Sequence, residues 1–176
     1  MNQEIFHNAQ VDLSVLPTAA EVSWKGLEPG YRTLLILSTV FSGAVMIGLI
    51  SIAVPFTGLP LWVPAVATGA VIMFMSIQLL AIFKGFASKG YVVRTHDILY
   101  RSGWLFRREL AIPLKRVQHV DIRQGVYERV FGLFRINIYT AGGDSSDLSI
   151  PGLRETDAQR LKAYILDQKP WLDEEE

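Results

Sequence analysis

LLILSTVFSGAVMIGLISIAV, residues 34–54, and LWVPAVATGAVIMFMSIQLLAIF, residues 61–83, contain no Asp, Glu, Lys or Arg. Each run meets the roughly 20 apolar residues a helix needs to cross a bilayer, at about 1.5 Å of rise per residue. Between them stands only Pro55-Phe56-Thr57-Gly58-Leu59-Pro60, a connection that can only reverse the chain. The pair reads as a transmembrane helical hairpin. Core helices of soluble bundles are usually shorter and carry a polar face.

The flanks set the expected orientation. Lys25 and Arg32 precede the first run, Lys84 and Lys89 follow the second, and the connecting loop is uncharged. The positive-inside rule then puts both ends in the cytoplasm. Tyr31 and Trp62 stand at run ends, where amphipathic rings favour the headgroup layer. Ala44 and Gly48, with Ala65 and Gly69, have the four-residue spacing that permits close helix approach, so Gly48 and Gly69 are expected to meet.

The formal charge of zero conceals a gradient. Residues 1–33 hold two basic and four acidic residues, net −2; residues 84–135 hold eleven and four, net +7; residues 136–176 hold four and nine, net −5. The basic block follows the second run directly, where anionic headgroups are the nearest polyanion. Nucleic acid would also reward clustered Lys and Arg, but no nucleic-acid-binding motif accompanies them, so no such partner is expected. The absence of cysteine excludes disulfides, thiolate chemistry and Cys-based metal sites, and suits a reducing compartment. Glu4 and the lack of a basic stretch before an apolar core argue against a cleavable signal peptide, so the first run is expected to act as an uncleaved anchor.

Residues 1–33 read as a cytoplasmic lead-in. Pro17 interrupts any long helix, Ala19 to Trp24 is expected to begin a short interfacial helix, and Pro29-Gly30 to break it. After the second run the periodicity changes to that of strands. Strands are predicted at Gly90–Arg94, Ile98–Arg101, Arg107–Leu114 and Val117–Gln124. Val126–Phe131 is predicted as one or two helical turns, with Gly132 as its C-cap. In the next strand Ile136, Ile138 and Thr140 are expected inside, with Arg135, Asn137 and Tyr139 outside. Asp147–Ile150 follows a turn at 141–146 and is ended by Pro151-Gly152. Thr156 with Gln159 has capping-box spacing, and Ala158, Leu161, Tyr164 and Ile165 stripe an amphipathic helix stopped by Pro170. The outline is an antiparallel half-barrel or sandwich closed by a C-terminal helix over residues 84–170, with an acidic tail at 171–176.

Arg101-Ser102-Gly103, Phe106-Arg107-Arg108, Ile112-Pro113-Leu114, Arg116-Val117-Gln118, Val120-Asp121, Arg123-Gln124-Gly125, Glu128-Arg129, Phe131-Gly132 and Thr140-Ala141-Gly142-Gly143 form an ordered set. As a set it resembles the bacterial pleckstrin-homology-like domain of YdbS-like membrane proteins, which also share the preceding hairpin. The resemblance covers most of residues 34–170. It implies two near-orthogonal antiparallel sheets with a capping helix: an α+β membrane protein without known catalytic activity or cofactor. It also implies a complex with a larger relative bearing repeated copies of the domain. Fold alone does not carry lipid binding over from eukaryotic namesakes.

For catalysis the candidates are His96 beside Asp97, and His119 near Asp121 and Glu128. The first pair falls in a predicted turn and the second on an ordinary exposed strand face, and two histidines are too few for a stable metal site. Gly142-Gly143 lacks the Lys-Ser/Thr of a phosphate loop. No catalytic, metal or cofactor site is expected.

For binding, Lys84, Lys89 and Arg94 are expected nearest the membrane. Arg101, Arg107, Arg108, Lys115 and Arg116 are expected to cluster where a lipid phosphate could sit, or else to serve as strand-edge charges that discourage sheet pairing. Trp104, Leu105 and Phe106 stand at a hairpin tip: exposed, they form a membrane wedge or partner contact; buried, they are core. Arg123, Gly125, Glu128, Arg129 and Gly132 belong to the motif around the short helix, where Arg123, Glu128 and Arg129 are expected to form an internal salt-bridge cluster. The function expected is a non-enzymatic assembly subunit of the bacterial cytoplasmic membrane, multi-pass, both termini cytoplasmic. Its partner would be the related multi-domain protein or a second copy of itself. An inner-leaflet lipid-sensing module is the alternative.

Overall fold

The computed structural model describes residues 22–140 and 147–167. Strand β1 (Lys25–Gly26) leads into helix α1 (Pro29–Thr57), which is followed by α2 (Trp62–Phe86). Pro29 occupies the first helical turn, where its missing N–H costs nothing. Helix α1 therefore begins well before the apolar run. It also continues through Pro55, where a loop was expected, and closes on Gly58 in the left-handed region at φ 58°. Both helices are long and apolar enough to cross a membrane. Only 11% of the most apolar window of α1 and none of that of α2 is buried. Large apolar side chains such as Phe41, Leu49, Ile52 and Phe74 face outward instead. Helices this apolar and this exposed are not the core of a soluble bundle.

The two helices touch through Gly43, not through Gly48 and Gly69. A Cβ on Gly43 would overlap the Met75 side chain, whereas one on Gly48 or Gly69 meets nothing within 4 Å. Thr39 and Gly43, one turn apart, are the buried pair on this face of α1. The small-residue spacing was real, but the rotation of α1 selects a different glycine.

Beyond α2 come β2 (Gly90–Val93), β3 (Asp97–Ser102) and β4 (Arg108–Pro113), a 3-10 turn at Leu114–Arg116, and β5 (Val117–Arg123). The short helix α3 (Val126–Val130), β6 (Leu133–Thr140), β7 (Leu148–Arg154) and helix α4 (Glu155–Asp167) complete the described chain. One antiparallel sheet has the order β1-β2-β3-β4, the other β5-β6-β7. Ile98 from the first sheet and Ile136, Ile138 and Ile150 from the second are fully buried between them. Helix α4 closes the core with Ala158, Leu161 and Ile165, as its stripe predicted.

Several boundaries differ from expectation. β7 runs through Pro151 and Gly152, because Gly152 takes φ 67° without leaving the strand. Helix α4 starts at Glu155, so Thr156 lies inside its first turn and is not its cap. Pro170 and the acidic tail lie outside the described residues, as do most of the lead-in and the turn at 141–146.

The lead-in residues that are described belong to the domain. Residues 22–24 are not helical. Lys25 and Gly26 pair with Tyr91 and Gly90, adding a strand to the first sheet. Leu27, Tyr31 and Leu34 are buried in the same core cluster as Ile136 and Ile150. Tyr31, expected among headgroups, instead packs its ring on Gly152. The Glu28 N–H donates to Gly152 O at 3.0 Å and the Glu28 carboxylate pairs with Arg154 at 2.9 Å. Lys25 donates to Asp157 at 3.0 Å, and that bond holds its ammonium above the ordinary lysine range. The first turns of α1 are thus part of the domain core, and the helices and the sheets form one packed body.

Candidate functional site

The turn joining β3 to β4 is bound to the foot of α2. Gly103, at φ 97°, starts it, and a Cβ there would collide with the Phe106 carbonyl oxygen, so only glycine fits. Ser88 Oγ lies 2.8 Å from Gly85 O and 2.9 Å from Gly103 O, sharing its one hydrogen between the last turn of α2 and the tip. Trp104 sits beside Gly85, with the Lys84 ammonium 4.9 Å from its ring centroid. The following residues point away from protein: Leu105 is 73% and Phe106 84% exposed. Of the two readings of this triplet, exposure is the observed one.

Four of the eight basic candidates gather here. Gly90 directly follows the linker from α2 and pairs with Arg101, so the Arg101 end of β3 is the end nearest the helices. Arg101, Arg107 and Arg108 line a cleft of about 500 Å³ with Ser88, Ser102, Gly103 and Glu109. Lys84 stands over the adjoining Trp104. The Arg101 guanidinium stacks over Trp24 at 4.4 Å, and its Nε is buried without a hydrogen-bond partner.

The other four separate. Lys89 lies over the Tyr31 ring at 5.7 Å, and burial lowers its pKa. Arg94 pairs with Asp97 at 3.3 Å. Lys115 and Arg116 occupy the 3-10 turn, tied to the same end by the Leu114 N–H to His96 O bond of 2.9 Å. That end lies five residues along β3 from the tip, roughly 17 Å at about 3.4 Å per residue. Arg94, Lys115 and Arg116 thus stand far from the foot of the helices, whereas Lys89 stays at that foot on the Tyr31 side.

Around α3 the expected ion-pair cluster is replaced by a different one. Glu128 is buried, accepts the Gly125 N–H at 2.8 Å, and pairs with Arg135 at 2.9 Å. Arg123 pairs with Asp121 at 2.5 Å and donates to Tyr139 Oη at 3.3 Å. Arg129 is exposed, without an ion pair among the described residues. The reason is register. Arg135 lies opposite Arg123 across β5 and β6, and α3 rests on β6, so Glu128 reaches Arg135 and leaves Arg123 to its own strand neighbour. Asn137, expected outside, is buried. The C-cap of α3 is Phe131, and Gly132, expected in that place, follows it in the left-handed region at φ 61°.

One surface was missed in the sequence. Val126, Tyr127 and Val130 all project from α3 into solvent, and α3 packs beside the beginning of α1. Over one and a half turns the spacing of its apolar residues is too short for a periodicity argument.

The catalytic candidates do not converge. The exposed His96 contributes a backbone carbonyl, Asp121 is engaged by Arg123, and the His119 ring packs 5.7 Å from that of Tyr139. Among the described residues no three His, Cys, Asp or Glu side chains group as metal ligands.

Two apolar helices rooted in the core of a double-sheet, helix-capped domain define a membrane protein with a pleckstrin-homology-like module. The chain belongs to the bacterial PH domain family, whose model matches residues 33–169. It is similar to the UPF0699 transmembrane protein YdbS of Bacillus subtilis (strain 168), with 34% identity over 108 residues. That alignment covers 60% of this chain and 65% of the relative, so the chain spans just under two thirds of the relative's length. No solved structure matches the chain.

Proposed function

We propose that this is a non-enzymatic assembly subunit of the bacterial cytoplasmic membrane, with two spans and both termini on the cytoplasmic side. Its domain meets a related membrane protein carrying further copies of the same module. The observation that carries the reading is the apolar face of α3. Val126, Tyr127 and Val130 are exposed on a helix that Glu128 fixes rigidly and that sits next to α1. An ordered apolar patch beside a membrane helix is placed to meet a neighbour that is itself held in the membrane. Lys25, Arg32, Lys84 and Lys89 at the helix ends, against an uncharged connection, support the orientation. The family is not a known enzyme family, which fits a role in assembly.

The test is extraction of the tagged full-length protein from its native membrane in mild detergent, followed by native mass measurement and identification of co-purifying chains. A stoichiometric PH-domain membrane protein, lost on Val126→Asp with Val130→Asp, is the expected result. Recovery as a monomer overturns the reading, and recovery as a homo-oligomer replaces the partner with a second copy.

A further inference from the structure

The cleft at the foot of α2 is not used by the assembly reading, and its chemistry is specific. Three arginines, Arg101, Arg107 and Arg108, line it with one acidic residue, Glu109. None of the three is ion-paired among the described residues, although carboxylates elsewhere in the domain are taken by Arg94, Arg123, Arg135 and Arg154. The Arg101 guanidinium carbon lies 4.4 Å from the Trp24 ring centroid, a contact that anchors the side chain, and its Nε is buried and unsatisfied. A planar fork of guanidinium donors matches the oxygens of a phosphate. Ser102 adds a hydroxyl to the same wall, whereas the Ser88 hydrogen is already taken by Gly85 O and Gly103 O.

The position of the cleft selects the source of the phosphate. Ser88 ties the tip to the last turn of α2, so the cleft opens where that helix leaves the apolar layer. Leu105 and Phe106, both exposed, stand in the same tip between Gly103 and Arg107. Apolar residues beside arginines at a membrane surface place the first in the acyl boundary and the second among phosphates. We propose that this cleft binds the phosphate of an anionic phospholipid of the surrounding leaflet, held by Arg101, Arg107 and Arg108, with Leu105 and Phe106 seated in the acyl layer beside it. Continuity with the membrane surface of α2 is the reason for committing to a lipid and not to a soluble phosphate.

The experiment uses the full chain in detergent, with phosphatidylglycerol or phosphatidylcholine added and bound lipid counted by native mass spectrometry. Phosphatidylglycerol should be retained over phosphatidylcholine. Arg107→Gln with Arg108→Gln, both exposed and harmless to folding, should weaken that retention by roughly tenfold or more, as expected for loss of charge-assisted hydrogen bonds. Arg101→Lys, which keeps the charge but loses the stacked fork, should weaken it as well. Lys115→Gln with Arg116→Gln, at the far end of the sheet, should leave it unchanged. Equal retention of both lipids, or equal loss in the far-end variant, overturns the site. Displacement of phosphatidylglycerol by inorganic phosphate at matched concentration overturns the lipid assignment in favour of a soluble phosphate. None of these outcomes depends on whether a protein partner is found.

Discussion

Gly152 in β7 carries the ring of Tyr31 directly against its α-carbon: a Cβ there would stand 2.6 Å from Tyr31 Cγ and 2.7 Å from its Cβ. This contact joins the sheet to the first turn of α1, and Gly152 also has φ 67°, a conformation that L side chains resist. Gly152→Ala therefore combines backbone strain with overpacking and should cost roughly 2–5 kcal/mol. Thermal unfolding of the full chain in detergent measures it. Gly26→Ala, on the neighbouring β1 with open space around it, is the control and should change little. Equal effects of the two would mean that the helix and sheet are not packed as described.

Glu128 and Arg135 should behave as a coupled pair. Glu128→Ala removes the acceptor of the Gly125 N–H and leaves the half-exposed Arg135 guanidinium without its carboxylate, at a cost of about 1–3 kcal/mol. A double-mutant cycle with Arg135→Ala should return a coupling of about 0.5–3 kcal/mol. The same cycle between Glu128 and Arg129 should return close to zero, because Arg129 projects into solvent. Coupling to Arg129 but not to Arg135 would restore the cluster that the motif suggested.

What the sequence disclosed follows the range of the interactions involved. The two apolar runs, the sheet strands and the α4 stripe are set by local composition and periodicity, and each stands near its expected place. Register is not local. That Glu128 meets Arg135 depends on how β6 lies against β5 and under α3, and no spacing in the chain encodes it. Likewise the split of the basic block follows from the hairpin folding back, which places Arg101 and Arg107 at one end and Arg94 and Lys115 at the other. Tyr31 had the composition of an interfacial residue, and only the glycine at 152, far along the chain, makes it a core one. The exposure of Leu105 and Phe106 was open in the sequence because a three-residue apolar tip reads identically whether covered or bare.

Packing of α1 on α2 should depend on Gly43 and be indifferent to Gly48. Gly43→Leu forces the Met75 side chain and then the helices apart, while Gly48→Leu points into open space. In the absence of a hydrophobic drive between helices in lipid, close van der Waals contact is what holds the pair. Gly43→Leu should lower the thermal aggregation midpoint in detergent, and Gly48→Leu should leave it near wild type. The reverse ranking would point to an interface through Gly48 and Gly69.

The phenol of Tyr100 supplies a pH signature of the intact core. It lies between Tyr91 and Leu110 in the first sheet, packed against the buried cluster, and burial pushes its pKa from 10.0 up to about 12. Tyr31 nearby contributes to that rise, and Arg135 works in the opposite direction. The folded state thus favours the neutral phenol, so this contribution to stability is complete below the unfolded pKa near 10 and is lost as pH rises from there through about 12. The difference between alkaline absorbance titrations of wild type and Tyr100→Phe isolates the group and should show phenolate appearing only towards pH 12. Arg135→Gln removes the opposing positive charge and should delay it further, which links this phenol in the first sheet to the Glu128 pair on the second. A midpoint for Tyr100 at the ordinary value would mean that solvent reaches the ring, and with it the junction where Tyr31 enters the core.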